Sequence, residues 1–166
     1  MSRRYFAIAL LLCAFMASYC SAAPISAAAA LDRVKSKGST ETLFELYGNG
    51  DNNTWQSVTA GIASGSRMWL EVARQLFPAA DAGAASELLD SVSLALRKSP
   101  ERVLSIIYAN QADWHVVCSG PPGDGAPNNY FRDAMIAVKR VRNPKLQRIK
   151  VLCLGLLDEA AKSGRK

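Results

Sequence analysis

Residues 52–78, NNTWQSVTAGIASGSRMWLEVARQLFP, leave few folds open. Trp55, Val58, Thr59 and Ile62 fall at i, i+3, i+4 and i+7. After Ala63-Ser64-Gly65 the spacing starts again with Trp69, Val72, Ala73, Leu76 and Phe77. The pattern predicts two short amphipathic helices joined by a tight turn, each with one apolar stripe. Two tryptophans and a phenylalanine cannot be covered by a lone hairpin, so later helices must supply a second layer. Trp69 is expected at the centre of that packing, between the hairpin and the segment that begins at Asp81.

The rest of the chain is punctuated in the same way. Residues 23–38 read as a first helix or a flexible arm, closed by Gly38. Residues 40–47 read as a short helix with Leu43, Phe44, Leu46 and Tyr47 apolar. Asn49, Asp51 and Asn53 alternate as calcium-loop ligands do. Thr54 stands where that loop needs glycine, however, and Ala60 where it needs glutamate. Asn53 or Thr54 is better read as the cap of the next helix. Pro78 stops the second helix and Asp81 caps a third. Ser99-Pro100-Glu101 is a helix start, with serine at the cap, proline at the first position and glutamate near the positive end of the dipole.

Residues 113–118 read as extended or as a bent helix end, and residues 119–127, SGPPGDGAP, as a loop. Pro127 precedes a helix over 128–142 with Phe131, Ala134, Met135 and Val138 on its apolar face. Asn143-Pro144 starts the last helix, whose inward stripe is expected to be Leu146, Ile149, Leu152, Cys153, Leu156, Leu157 and Ala160. No segment alternates as a strand does. The predicted class is all-α, built of antiparallel helical hairpins arranged as an irregular HEAT-like superhelix or as a compact bundle. The tetratricopeptide spacing is absent. Residues 23–166 fit one domain by length.

The first 22 residues read as a cleaved signal peptide. Arg3 and Arg4 form a positive n-region, residues 6–17 an apolar run too short to span a bilayer, and residues 18–23 a small-residue cleavage region. The start also resembles a twin-arginine signal, against which the run of leucines at 10–12 and Ile8 both weigh. Cleavage after Ala22 leaves two of the four cysteines, Cys118 and Cys153, in a chain bound for the periplasm or exterior. There a disulfide is the expected pairing. Closing a loop of about 36 residues contributes roughly 3 to 4 kcal/mol by loop entropy.

Few residues offer catalytic chemistry. His115 is the single histidine and stands three residues before Cys118. Such a pair can hold part of a zinc site or form a Cys–His nucleophile, but a disulfided cysteine does neither. No Ser–His–Asp arrangement is recognisable. The glycines of 120–125 lack the lysine of a phosphate-binding loop. Asp158-Glu159 is better explained as a solvated, salt-bridged face than as a catalytic pair. No metal or cofactor is expected.

Charge is segregated. Residues 39–131 carry five basic residues against ten acids, and residues 132–166 carry ten basic residues against three acids, within a formal charge of +6. Lys139, Arg140, Arg142, Lys145, Arg148 and Lys150 straddle the Asn143-Pro144 turn and form a candidate interaction patch. Nucleic acid is an unsuitable partner for an exported chain with little interleaved aromatic surface beyond Tyr130. An acidic protein partner or an anionic membrane surface suits the patch better.

The tryptophan and glycine spacing also carries a likeness. Trp55-x-x-Val58-x-x-Gly61-Ile62-Ala63-Ser64-Gly65, Trp69-Leu70-x-Val72-Ala73-x-x-Leu76-x-Pro78, Asp81-Ala82 and Pro100-x-x-Val103-Leu104 resemble an uncharacterised family of small secreted helical proteins of proteobacteria. The resemblance implies the compartment and the helical fold and transfers no site residue. The reading that follows is a non-enzymatic periplasmic helical protein that binds another protein. An immunity protein against a secreted antibacterial effector is the alternative, and a metal- or cofactor-carrying enzyme ranks third.

Overall fold

Eight α-helices order the described residues of the computed structural model, 24–48, 52–110, 113–121 and 128–163. They are α1 (Ala27–Lys37), α2 (Ser39–Leu43), α3 (Asn52–Ala63), α4 (Arg67–Leu76), α5 (Ala82–Leu96), α6 (Pro100–Asn110), α7 (Tyr130–Lys139) and α8 (Gln147–Ser163). Phe44–Gly48 continues α2 as a π turn, and 3-10 segments occupy Phe77–Ala79, Asp113–Ser119 and Pro144–Leu146. The described residues contain no strand, so the class is all-α. The signal peptide expected over 1–22, Asn49 and Asp51 of the calcium-like loop, and residues 122–127 lie outside the described residues.

Helix ends fall where backbone donors and acceptors find partners. Ser26 Oγ accepts from the Ala29 N–H at 3.2 Å, and Asp81 Oδ1 from the Ala84 N–H at 2.9 Å. Gly38, at φ +86°, closes α1 by donating its N–H to the Val34 carbonyl at 2.8 Å. Asn143 Oδ1 accepts from the Lys145 N–H at 3.1 Å, and Pro144 opens the 3-10 turn that leads into α8. Residues 27–37 are a packed helix, with Ala27, Ala30 and Val34 buried against the rest of the fold. The segment 113–119, expected to be extended or a bent helix end, is a 3-10 helix.

The core gathers on α5, where Leu88, Val92, Ala95 and Leu96 are fully buried. That helix touches α3, α6, α7 and Asp113–Ser119, while α6 reaches α4, α7 and α8 and α1 reaches α4. A solenoid confines each unit to its chain neighbours. Here contacts skip along the chain, and the fold is a compact bundle.

Three expected placements change. Trp69 is half-buried rather than central. Its indole lies across α3 at Gly61, where an added Cβ would stand 2.3 Å from the ring. Trp55 is the tryptophan that enters the core, 6 % exposed. It lies edge-on to Tyr47 at 5.0 Å and donates its indole N–H to Glu87 Oε2 at 2.6 Å. Tyr130, read as surface, is buried. Its hydroxyl donates to the Ser93 carbonyl at 2.8 Å, and the Arg97 guanidinium sits 5.5 Å above its ring. Leu152, expected inward, is 49 % exposed, because Cys153 and Leu157 set the buried face of α8. Cys118 and Cys153 are joined, both in the core.

Gly61→Ala should destabilise the protein by about 1–3 kcal/mol in urea melts, because the Trp69 ring must move. In a Trp69→Ala background the same change should be neutral or stabilising, since alanine is the better helix former. Additive losses would place the ring elsewhere. Cys118→Ser and Cys153→Ser should each cost about 3–4 kcal/mol, with the double variant no worse than either. Reductant should lower the melting temperature of wild type alone.

Candidate interaction site at the α7–α8 corner

The corner is set by a tight end to α7. The Arg140 N–H reaches the Ala137 carbonyl at 3.2 Å and the Val141 N–H reaches Val138 at 3.1 Å, which turns buried Val141 inward. Its neighbours Lys139, Arg140 and Arg142 are left exposed, as is Lys145 in the 3-10 turn. Asn143 fastens the corner to the first turn of α6 by donating from Nδ2 to Glu101 Oε1 at 3.0 Å.

Lys150 does not join the exposed patch. Its Nζ folds back to donate to the Lys139 and Val141 carbonyls, both at 2.8 Å. There the ammonium satisfies acceptors that the helix end leaves free and lies at the negative end of the dipole. Arg148 sits on α8 beside Tyr108 and Leu152, away from the turn. Of the six predicted residues, four share the corner, one caps α7 and one lies along α8.

Two cations were not singled out in the sequence. Lys98 and Arg102 flank the start of α6 and, with Arg140, Glu101 and Ser105, line a groove of about 610 Å³ against the end of α7. They lie some 40 residues from Arg140 in the chain, and the only local signal for them is the Ser99-Pro100 helix start. Arg102 is held in place by donating to the Gly65 carbonyl at 3.2 Å.

Several cations elsewhere are paired: Arg33 and Lys37 with Glu45, Lys35 with Asp32, Arg74 with Glu71, Arg132 with Asp133 and Lys162 with Asp158. Among the described residues no carboxylate pairs with Lys139, Arg140, Arg142 or Lys145. Such a set presents a local positive field. The disulfide leaves His115-x-x-Cys118 without a thiolate, and the His115 side chain lies outside the described residues. Among the described residues no three His, Cys, Asp or Glu side chains converge as metal ligands. No described helix is long and apolar enough to cross a membrane.

A contrasting cluster lies on α5, where Glu87 and Asp90 stand one turn apart. Burial holds the Asp90 carboxyl above its ordinary pKa, and the negative charge of Glu87 adds to the shift. No protein-family model, no curated protein and no solved structure matches the chain.

A carboxyl with a raised native pKa binds its proton more tightly when folded, so the native state is penalised above that pKa and relieved as pH falls. Asp90→Asn should therefore raise the melting temperature at pH 7. The gain should shrink on acidification and vanish below the ordinary aspartate value of 3.8. A gain that persists at about pH 3 would trace to packing instead.

Proposed function

We propose that the chain is a non-enzymatic periplasmic protein that binds another protein, and that the corner built by Lys139, Arg140, Arg142 and Lys145 receives an acidic surface of that partner. The supporting observation is that four exposed cations gather at one corner with no carboxylate pairing among the described residues, whereas Arg74, Arg132 and Lys162 each have one. Lys98 and Arg102 extend the positive field along the groove beside Arg140. A disulfide fits an oxidising compartment, consistent with the signal peptide read in residues 1–22. The likeness to secreted helical proteins of proteobacteria belongs to the same reading.

Protein carrying Arg140→Glu, Arg142→Glu and Lys145→Glu should fold as wild type, because the three side chains are exposed. In pull-downs from periplasmic extract, wild type should capture a partner that salt releases. The triple reversal should weaken that capture at least about tenfold, or roughly 1.4 kcal/mol. Capture indifferent to both salt and reversal would remove the corner from the interface. Binding to anionic vesicles with no protein captured would replace the protein partner by a membrane surface.

A further inference from the structure

The outer side of α8 carries a row that nothing inside the molecule uses. Arg148, Leu152, Gly155 and Glu159 recur at intervals of four, three and four residues, the spacing of a coiled-coil seam, and all four are exposed. Val151 flanks the row at 69 % exposed, and Tyr108 of α6 stands on the other side at 57 %. Between Tyr108 and Leu152 runs a groove of about 470 Å³, floored by Ile107 and Ile149.

Gly155 is the odd member. Glycine weakens a helix interior, so it needs a reason there. At Gly61 the reason is the Trp69 ring, but a Cβ on Gly155 would meet nothing within 4 Å. A bare stretch of helix backbone beside exposed Leu152 and Val151 is a place where another helix can approach closely.

We propose that this row is the contact of a homodimer, in which α8 packs antiparallel on α8 of a second copy, centred between Cys153 and Leu154. In that register Leu152 seats over Gly155 of the partner subunit, and Arg148 meets the partner's Glu159, each twice by symmetry. The row complements itself only when reversed. A parallel pairing sets arginine on arginine and glycine on glycine. An acidic helix or an anionic membrane satisfies Arg148 but repels Glu159. Among the described residues neither Arg148 nor Glu159 has an ion-pair partner within its own chain. The next layer outward would bring Lys145 to the partner's Lys162. Lys162 is already neutralised by Asp158 at 2.5 Å, and the seam ends there.

The test is sedimentation velocity of the folded, disulfide-bonded protein between about 1 mM and about 10 µM, where a short seam should dissociate on dilution. Arg148→Glu and Glu159→Arg each place like charges across the seam. Each alone should weaken self-association at least about tenfold, with unchanged melting temperature. Mixed in equal amounts, the two variants should regain it, because each supplies the charge the other lacks. A wild type that stays monomeric at the highest concentration overturns the proposal. So do single variants that dimerise like wild type, or a mixture no tighter than its components. A dimer that captures no partner would sink the binding reading alone, and a monomer that captures one would sink this inference alone.

Discussion

The burial of α5 is the constraint on which the rest depends. Six of the eight described helices run 12 residues or fewer, and isolated helices below about 12–15 residues are marginal in water, so each of these must be held by the stripe it buries. α5 offers buried surface to α3, α6, α7 and the 3-10 segment at once. Its two buried serines do not spoil that surface, because Ser91 and Ser93 return their hydroxyls to the Glu87 and Leu89 carbonyls at 2.7 and 2.9 Å. The Ser93 carbonyl then accepts from Tyr130, which locks α7 onto α5. Burial drives the Tyr130 phenol well above its ordinary pKa, against the opposing charge of Arg97, so it remains a neutral donor. The disulfide carries the same chain of dependence to α8, through a segment that also rests on α5.

What was legible in the sequence follows from how locally each feature is determined. Asp81, Ser99-Pro100 and Asn143-Pro144 marked helix starts because a cap needs only the next three residues. The cysteine pair was legible by count. The partners of each stripe were not, because periodicity names a face and says nothing of what covers it. The last helix is apolar over so much of its circumference that Leu152 read as inward along with Cys153, although the buried face is set by Cys153 and Leu157 and leaves Leu152 beyond its edge. Tyr130 misled through its hydroxyl, since the acceptor that lets it be buried is 37 residues away. Gly61 and Trp69 stood out as a spacing, and their meaning as one close helix crossing needed the fold.

The candidate site was legible in composition and only partly in geometry. Six cations close in sequence do not make six charges at one surface. Lys150 shows why: the carbonyls of Lys139 and Val141 compete for its ammonium and win, because a helix end leaves acceptors that water or a cation must satisfy. Its long stem lets the ammonium reach them, which ties that charge to the end of α7. Lys98 and Arg102 do the converse, adding charge to the groove from a helix that sequence distance hides. The field at the corner is therefore set by the tertiary fold as much as by the local run of lysine and arginine.

The two proposed surfaces constrain one another. The basic corner lies at the start of α8 and the seam along its middle, so the geometry of pairing decides where the corners go. A parallel pair would put two uncompensated corners side by side, at a cost in repulsion that nothing nearby offsets. An antiparallel pair centred near Cys153 sets the two copies of Lys145 about 25 Å apart along the axis, at 1.5 Å per residue. That exceeds the screening length of about 8–10 Å at ordinary salt, so the corners scarcely repel one another. A partner with a single acidic patch then engages either corner as it would a monomer. A partner that presents two such patches at matching separation engages both, and the second contact forms within the first complex. Such linkage can raise apparent affinity by about 10²–10⁴ without any new contact. Modest charge recognition at each corner becomes selective in this arrangement through the spacing that the seam imposes.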